Sequence, residues 1–150
     1  MSRICVDTGF LLALYARKDD PTNKAKALRN LALFGNRANK IVLAWPVMYE
    51  TLRTRVTEHK AGVELFERHL RQFRRDDQLI QIDDRTYREN AFAECFSELK
   101  RGTAYRGLSL VDRIVRHVIG DAALRISGLI TFNTQDFVDV CRARRIQMYN

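Results

Sequence analysis

The sequence predicts an α/β fold in three layers, with a short, mostly parallel central sheet between helices. Three observations predict it. Apolar runs of strand length alternate with segments of helical periodicity along the chain. The runs are apolar on both faces, as strands of a sheet covered on both sides must be. Several segments between runs hold two helices, which gives crossovers long enough to bring the chain back parallel.

The first strand is Arg3 to Val6, followed by Asp7-Thr8-Gly9 and a helix from Phe10 to Ala16. Phe10, Leu11, Leu12 and Leu14 suit either the core or a dimer face. Asp20 then caps a second helix with Pro21 in its first position. Ala25, Leu28, Leu31 and Ala32 form the expected apolar stripe of that helix, and Gly35 ends it. Ile41 to Trp45 is a continuous apolar run and reads as the second strand. Pro46 opens the helix that carries Glu50, and Trp45 before it reads as core rather than as a platform for stacking bases.

Val63, Phe66, Leu70 and Phe73 recur at helical spacing in an arginine-rich helix, and Leu79 to Ile82 is the third strand. A helix over Thr86 to Arg101 turns Ala91, Cys95 and Leu99 to one face and stops at Gly102. Ser109 opens the next helix, whose stripe is Val111, Ile114, Val115 and Val118. Leu129 to Phe132 reads as a buried strand, Asp136 to Ala143 as a short helix, and Ile146 to Tyr149 as the last strand.

With 150 residues, 46% of them apolar, residues 1–150 form a single domain with a substantial core. Three scattered cysteines without a CxxC pair argue against a disulfide framework and a thiolate zinc site, and fit a reducing cytoplasm. The apolar stretch near the N-terminus is broken by Asp7 and lacks a cleavage pattern, so it reads as strand and helix rather than as a signal peptide. The chain has no apolar run long enough for a membrane span. The net charge of +8 suits a phosphate backbone or an acidic partner surface as well as plain solubility.

Ligands of open parallel sheets bind outside the carboxyl ends of the strands. Asp7 directly follows the first strand, and Glu50 lies just over a helical turn past the second. Asn133 follows the strand ending at Phe132, with Asp136 three residues on, and Asp112 lies in the first turn of the helix opened by Ser109. Each has a local explanation. Asp7 and Asp136 suit helix caps, Glu50 a solvated helical face, and Ser109 with Asp112 a capping box. Gathered at one edge, they make chemical sense around a hard divalent cation, because clustered carboxylates otherwise raise one another's pKa. Such a metal activates water against a phosphodiester, and a basic surface holds the phosphates. That combination points to a nuclease.

Four segments carry a family resemblance: Ile4-Cys5-Val6-Asp7-Thr8, Trp45-Pro46-Val47-Met48-Tyr49-Glu50, Leu108-Ser109-Leu110-Val111-Asp112, and Leu129 through Phe137. In order, spacing and total length the chain resembles a PIN domain, and among these the VapC-type toxin ribonucleases. The resemblance implies a Mg²⁺-dependent endoribonuclease, with Mn²⁺ as a substitute, acting on RNA. It also implies a homodimer held inactive by a small antitoxin that inserts a segment near the acids. Asp7, Glu50 and Asp112 match the family's three core acids. Many relatives carry aspartate where Asn133 stands; others carry asparagine there with a following Asp-Phe pair, as in Asp136-Phe137, which makes Asp136 the fourth acid. Asn133 remains an alternative, through its carbonyl or a metal-held water. Thr8 matches the small hydroxyl residue beside the first acid.

In this reading Asp7 and Asp112 hold the metal, and Glu50 or Asp136 holds or deprotonates the attacking water. Arg113 and Arg116, on the helix of Asp112, are candidate RNA contacts, or partners of the acids when metal is absent. Arg68, Arg71, Arg74 and Arg75, and Arg142, Arg144 and Arg145, are basic clusters suited to RNA, to an acidic partner or to solvent. His59, His69 and His117 are scattered and suggest no ligand set. The alternatives are a housekeeping RNA-processing nuclease without antitoxin, and a nucleic-acid-binding module with a degenerate site.

Overall fold

Five short strands pair into one sheet, and every pairing is parallel. The structure is a computed structural model and describes all residues except 54, 98 and 100–104. The strands are β1 (Arg3–Val6), β2 (Lys40–Ala44), β3 (Leu79–Ile82), β4 (Gly128–Ile130) and β5 (Gln147–Tyr149), in the order β3-β2-β1-β4-β5. Among the described residues the helices are α1 (Thr8–Tyr15), α2 (Pro21–Leu31), α3 (Trp45–Thr51), α4 (Lys60–Arg75), α5 (Arg85–Ser97), α6 (Leu110–Gly120) and α7 (Val138–Arg144). Helix α1 packs against α2, α3 and α4, and α6 against α5 and α7, giving the three-layer α/β/α arrangement.

The order of the strands positions the site. The chain leaves β1 toward β2 and β3, then crosses back over β1 to place β4 on its other side. Strand order therefore reverses at β1, and crevices for ligands form at such switch points. Asp7 is the first residue past β1, and its backbone N–H still donates to the Ile130 carbonyl at 3.1 Å. It is thus fixed between the ends of β1 and β4. Beneath it Ile4, Cys5, Val6, Val42, Leu43, Leu129 and Ile130 are almost wholly buried. A sheet buried on both faces leaves no freedom of register, because a one-residue slip would bring charged neighbours into the core.

Helix starts follow local chemistry. Asp20 accepts from the Thr22 N–H at 2.7 Å ahead of Pro21, and Ser109 with Asp112 forms a complete capping box at α6. Helix α4 approaches α1 so closely that a Cβ at Gly62 would overlap the carbonyl oxygen of Tyr15. Phe10, Leu11 and Leu14 fill the core.

Several expectations are corrected. Strand β2 ends at Ala44, and Trp45 begins α3 with 41% of its surface exposed rather than entering the core. Pro46, preset for a first helical turn, takes the chain off the sheet there. Helix α2 buries Ala27 and Asn30, while Leu28 is 54% exposed. So few of its residues are apolar that docking on α1 chose the face, not the stripe. Helix α5 is described to Ser97, and Leu99 beyond it is exposed; the expected stop at Gly102 lies outside the described residues. Strand β4 ends at Ile130, two residues early, and the buried Thr131 after it turns its hydroxyl toward Asp7. The expected helix from Asp136 is a 3-10 turn over Thr134–Asp136 followed by α7.

Candidate active site

Asp7 is both a helix cap and a buried acid. Its Oδ1 accepts from the Thr8 N–H at 2.8 Å, as the N-cap of α1, and its Oδ2 accepts from the Thr131 hydroxyl at 3.1 Å. Burial pushes its pKa up to about 6. The Thr8 N–H works against that shift, the negative charge of Asp112 adds to it, the Thr131 hydroxyl opposes it, and the charge of Glu50 adds to it. Two of the expected acids are therefore close enough to bear electrostatically on the third.

Glu50 reaches the site from α3. Its Oε2 accepts from the Thr8 hydroxyl at 2.6 Å. Thr8 is nearly buried, and it binds Asp7 through its backbone and Glu50 through its side chain. Asp112 is fixed by its own cap: the Ser109 hydroxyl accepts from the Asp112 N–H at 3.1 Å, and Asp112 Oδ2 accepts from the Ser109 N–H at 3.4 Å. The capping box is thus present, and it holds the carboxylate in the first turn of α6, which packs against α3.

Asn133 and Asp136 stand together across the 3-10 turn, where the Asn133 side-chain amide donates to Asp136 Oδ2. The Asn133 backbone N–H donates to the Thr131 hydroxyl at 3.1 Å. Asn133, rather than Asp136, lines the groove that Asp7 opens into. Asp136 meets that groove through its bond to Asn133.

Arg113 and Arg116 turn elsewhere than expected. Arg113 is 2% exposed, donates from Nε to the Leu108 carbonyl at 3.3 Å and lies 3.9 Å from Glu94. One position past Asp112 on the helix, it points to a different face. Arg116 forms a two-pronged pair with Asp139 at 2.7 and 2.8 Å and donates to the Asp136 carbonyl at 2.6 Å. It braces the turn that carries Asn133 through the backbone of Asp136. His69 bonds the Tyr15 hydroxyl and His117 bonds Glu94, away from the acids.

Three residues at the site went unread in the sequence. Thr131 is fully buried and ties Asp7 to the Asn133 backbone. A polar residue at the end of a buried apolar strand was its signal. Arg53 and Arg55 follow Glu50 and line a groove with Thr8, Leu12 and Glu50. Arg55 is held by the Lys18 carbonyl at 2.6 Å and by Asp19 at 2.9 Å.

Among the described residues, no three His, Cys, Asp or Glu side chains are grouped tightly enough to hold a single metal ion. The acids converge as neighbours that perturb Asp7, with Thr8 bridging two of them. The donor set is oxygen throughout, and Asp7 is buried at a cost that a cation would relieve. Both features fit a hard divalent ion such as Mg²⁺ or Mn²⁺.

No family model matches the sequence, and no curated protein matches it. Among solved structures, the chain is similar to VapC20 of Mycobacterium tuberculosis, described as a sarcin-ricin loop cleaving toxin. The two share 20% identity, with a TM-score of 0.60, over 91% of this chain and 94% of that one. The likeness is one of fold, and the fold is the one that the sequence resemblance implied.

Proposed function

We propose that this PIN-fold chain is a metal-dependent endoribonuclease, the toxin of a toxin–antitoxin pair. The observation that carries the reading is Asp7. It is a buried acid at the switch point of the sheet, and Asp112 and Glu50 both push its pKa upward. A module that only bound nucleic acid would gain nothing from burying such an acid beside two others.

Asp7 and Asp112 are the residues to hold a divalent ion, with Asn133 able to add its side-chain carbonyl. Mg²⁺ or Mn²⁺, when bound, polarises the scissile phosphate and lowers the pKa of water. Glu50, fixed by the Thr8 hydroxyl, orients the attacking water and takes up its proton. Asp136 holds Asn133 in place beside the groove. Arg53 and Arg55 beside the groove are placed to meet substrate phosphates. The reading extends to RNA as substrate, to a small antitoxin that covers the acids, to a homodimer and to a cytoplasmic setting. Among the described residues no helix is long and apolar enough to cross a membrane.

The test is cleavage of RNA by purified protein with Mg²⁺ or Mn²⁺ and with chelator. Metal-dependent cutting by the wild type, lost in Asp7→Asn, is expected. Cutting that persists unchanged in chelator, or in Asp7→Asn, contradicts the proposal.

A further inference from the structure

A second cavity opens at the end of α1 away from Asp7. It has a volume of about 260 Å³ and is lined by Arg17, Lys18, Arg55, Glu58 and His59. Arg17 and Lys18 lie just past α1, and the other three come from the turn between α3 and α4. Val56, wholly buried in the core, anchors that turn. Arg55 joins the two segments, donating from Nη2 to the Lys18 carbonyl at 2.6 Å and to Asp19 at 2.9 Å. Both bonds use one nitrogen, which leaves Nε and Nη1 for other acceptors. Arg17 and Lys18 are exposed, and among the described residues their side chains have no ion-pair partner. Asp19 balances Arg55 and Glu58 is the one acid of the lining, so a net positive charge remains. Arg55 is also a wall of the groove of about 360 Å³ that holds Asp7 and Asn133, and of the groove that holds Thr8 and Glu50. The basic cavity is therefore continuous with the acid site through one guanidinium.

We propose that Arg17, Lys18 and Arg55 form a second phosphate seat, which holds the RNA backbone at a nucleotide beyond the scissile phosphodiester. The inference rests on the ribonuclease reading and names where the strand runs once it leaves the acids. The eight residues of α1 rise by about 12 Å between Asp7 and the basic turn, so the seat takes a different phosphate from the one at the acids. Two observations favour RNA over an acidic protein segment. The seat is continuous with the groove of the acids, and its lining has no apolar side chain of the kind that anchors a protein partner. Guanidinium and ammonium groups on phosphates fix the register of a strand without reading its bases. The seat therefore adds affinity for a longer strand and no preference for sequence.

The test removes two of the cations together, in Arg17→Gln/Lys18→Gln. The control is Arg37→Gln/Arg125→Gln, which removes the same charge from exposed positions ahead of β2 and β4, at the opposite edge of the sheet. Binding of a labelled single-stranded RNA is followed by anisotropy across a salt series in an Asp7→Asn background. Cleavage of the same RNA with Mg²⁺ is measured with Asp7 intact. Arg17→Gln/Lys18→Gln is expected to weaken binding by about five- to tenfold and to lower the slope of log affinity against log salt by about 0.7 for each lost contact. It should raise KM while kcat stays within about twofold, because a remote phosphate is held equally before and during the reaction. The control pair should behave as the parent protein. Cleavage with Asp7 intact, but no change of binding or KM in Arg17→Gln/Lys18→Gln, overturns the seat and leaves the ribonuclease reading standing. An equal loss in the control assigns the effect to net charge and overturns it. A fall in kcat at unchanged KM puts the two cations at the reacting phosphate and also overturns it. Oligoglutamate binding that is lost in Arg17→Gln/Lys18→Gln, while RNA binding is kept, gives the cavity to an acidic protein segment instead. Neither binding nor cleavage of RNA removes the seat and the ribonuclease reading together.

Discussion

The Thr8 hydroxyl donates to Glu50 at 2.6 Å while the Thr8 backbone N–H donates to Asp7 at 2.8 Å, so one small residue sets the spacing of two acids from different elements. The second residue past β1 thereby reaches an acid on α3, one crossover of the chain away. Thr8→Val removes the hydroxyl and keeps the shape. It is expected to lower RNA cleavage about 10- to 100-fold, the usual cost of losing a group that orients an acid beside a metal. Thr8→Ser should retain most of the activity. Equal activity in Thr8→Val, measured as kcat/KM, removes this role.

Asp7 makes a prediction about stability and pH. Its folded pKa of about 6 lies above the ordinary carboxylate value of 3.8. A raised pKa means that the folded state binds the proton more tightly. Its contribution to stability is then full below pH 3.8 and is lost as pH rises through about 6. In the metal-free protein at pH 8, Asp7→Asn is expected to be more stable than wild type by on the order of 2–3 kcal/mol, with the difference vanishing near pH 4. Added Mg²⁺ should raise the wild-type melting temperature and leave the variant unmoved. Urea unfolding at the two pH values, with and without metal, checks both. A variant less stable than wild type at pH 8 without metal would show that the Asp7 charge is satisfied by the protein itself.

The fold was legible where burial is total. Ile4 to Val6, Ile41 to Ala44 and Leu129 with Ile130 are apolar on both faces because helices cover both. The starts at Asp20 and Ser109 were legible because capping is local chemistry. Trp45 was not, since it extends an apolar run and only the turn of the chain at Ala44 removes it from the sheet. The buried face of α2 was set by packing on α1, which no residue of α2 encodes strongly. At the site, the placing of Asp7 at a strand end could be read directly, whereas Asn133, expected directly after its strand, lies three residues past the end of β4. The Thr131 bond to Asp7 joins positions 124 residues apart and exists only once β1 and β4 pair. Arg113 and Arg116 sat near Asp112 in sequence, but the phase of α6 sends them to other partners.

Asn133 and Asp136 separate by their positions around the groove. Asn133 lines it beside Asp7, while Asp136 bonds the Asn133 amide. Asn133→Ala is expected to lower cleavage by about tenfold or more, and Asp136→Asn, which keeps an acceptor oxygen, by less. The ratio of the two kcat/KM values is the measurement. A larger loss in Asp136→Asn would give the fourth position to the aspartate.

Gly62 predicts a purely structural defect. A methyl group there meets the Tyr15 carbonyl oxygen, which is backbone and cannot swing aside. Gly62→Ala is expected to cost on the order of 1–3 kcal/mol by overpacking, despite the better helix propensity of alanine. Denaturant unfolding reads the loss, and the folded fraction should keep its metal affinity. A more stable variant would show that α4 moves away from α1 freely.

The central proposal is that Asp7 and Asp112 hold one divalent ion beside Glu50, and calorimetric titration with Mn²⁺ tests it most directly. Wild type is predicted to bind Mn²⁺, and Asp7→Asn and Asp112→Asn each to bind at least about tenfold more weakly, with Glu50→Gln also impaired. If Asp112→Asn binds Mn²⁺ as wild type does, Asp112 is only the partner of Ser109 in a capping box and the claim is contradicted.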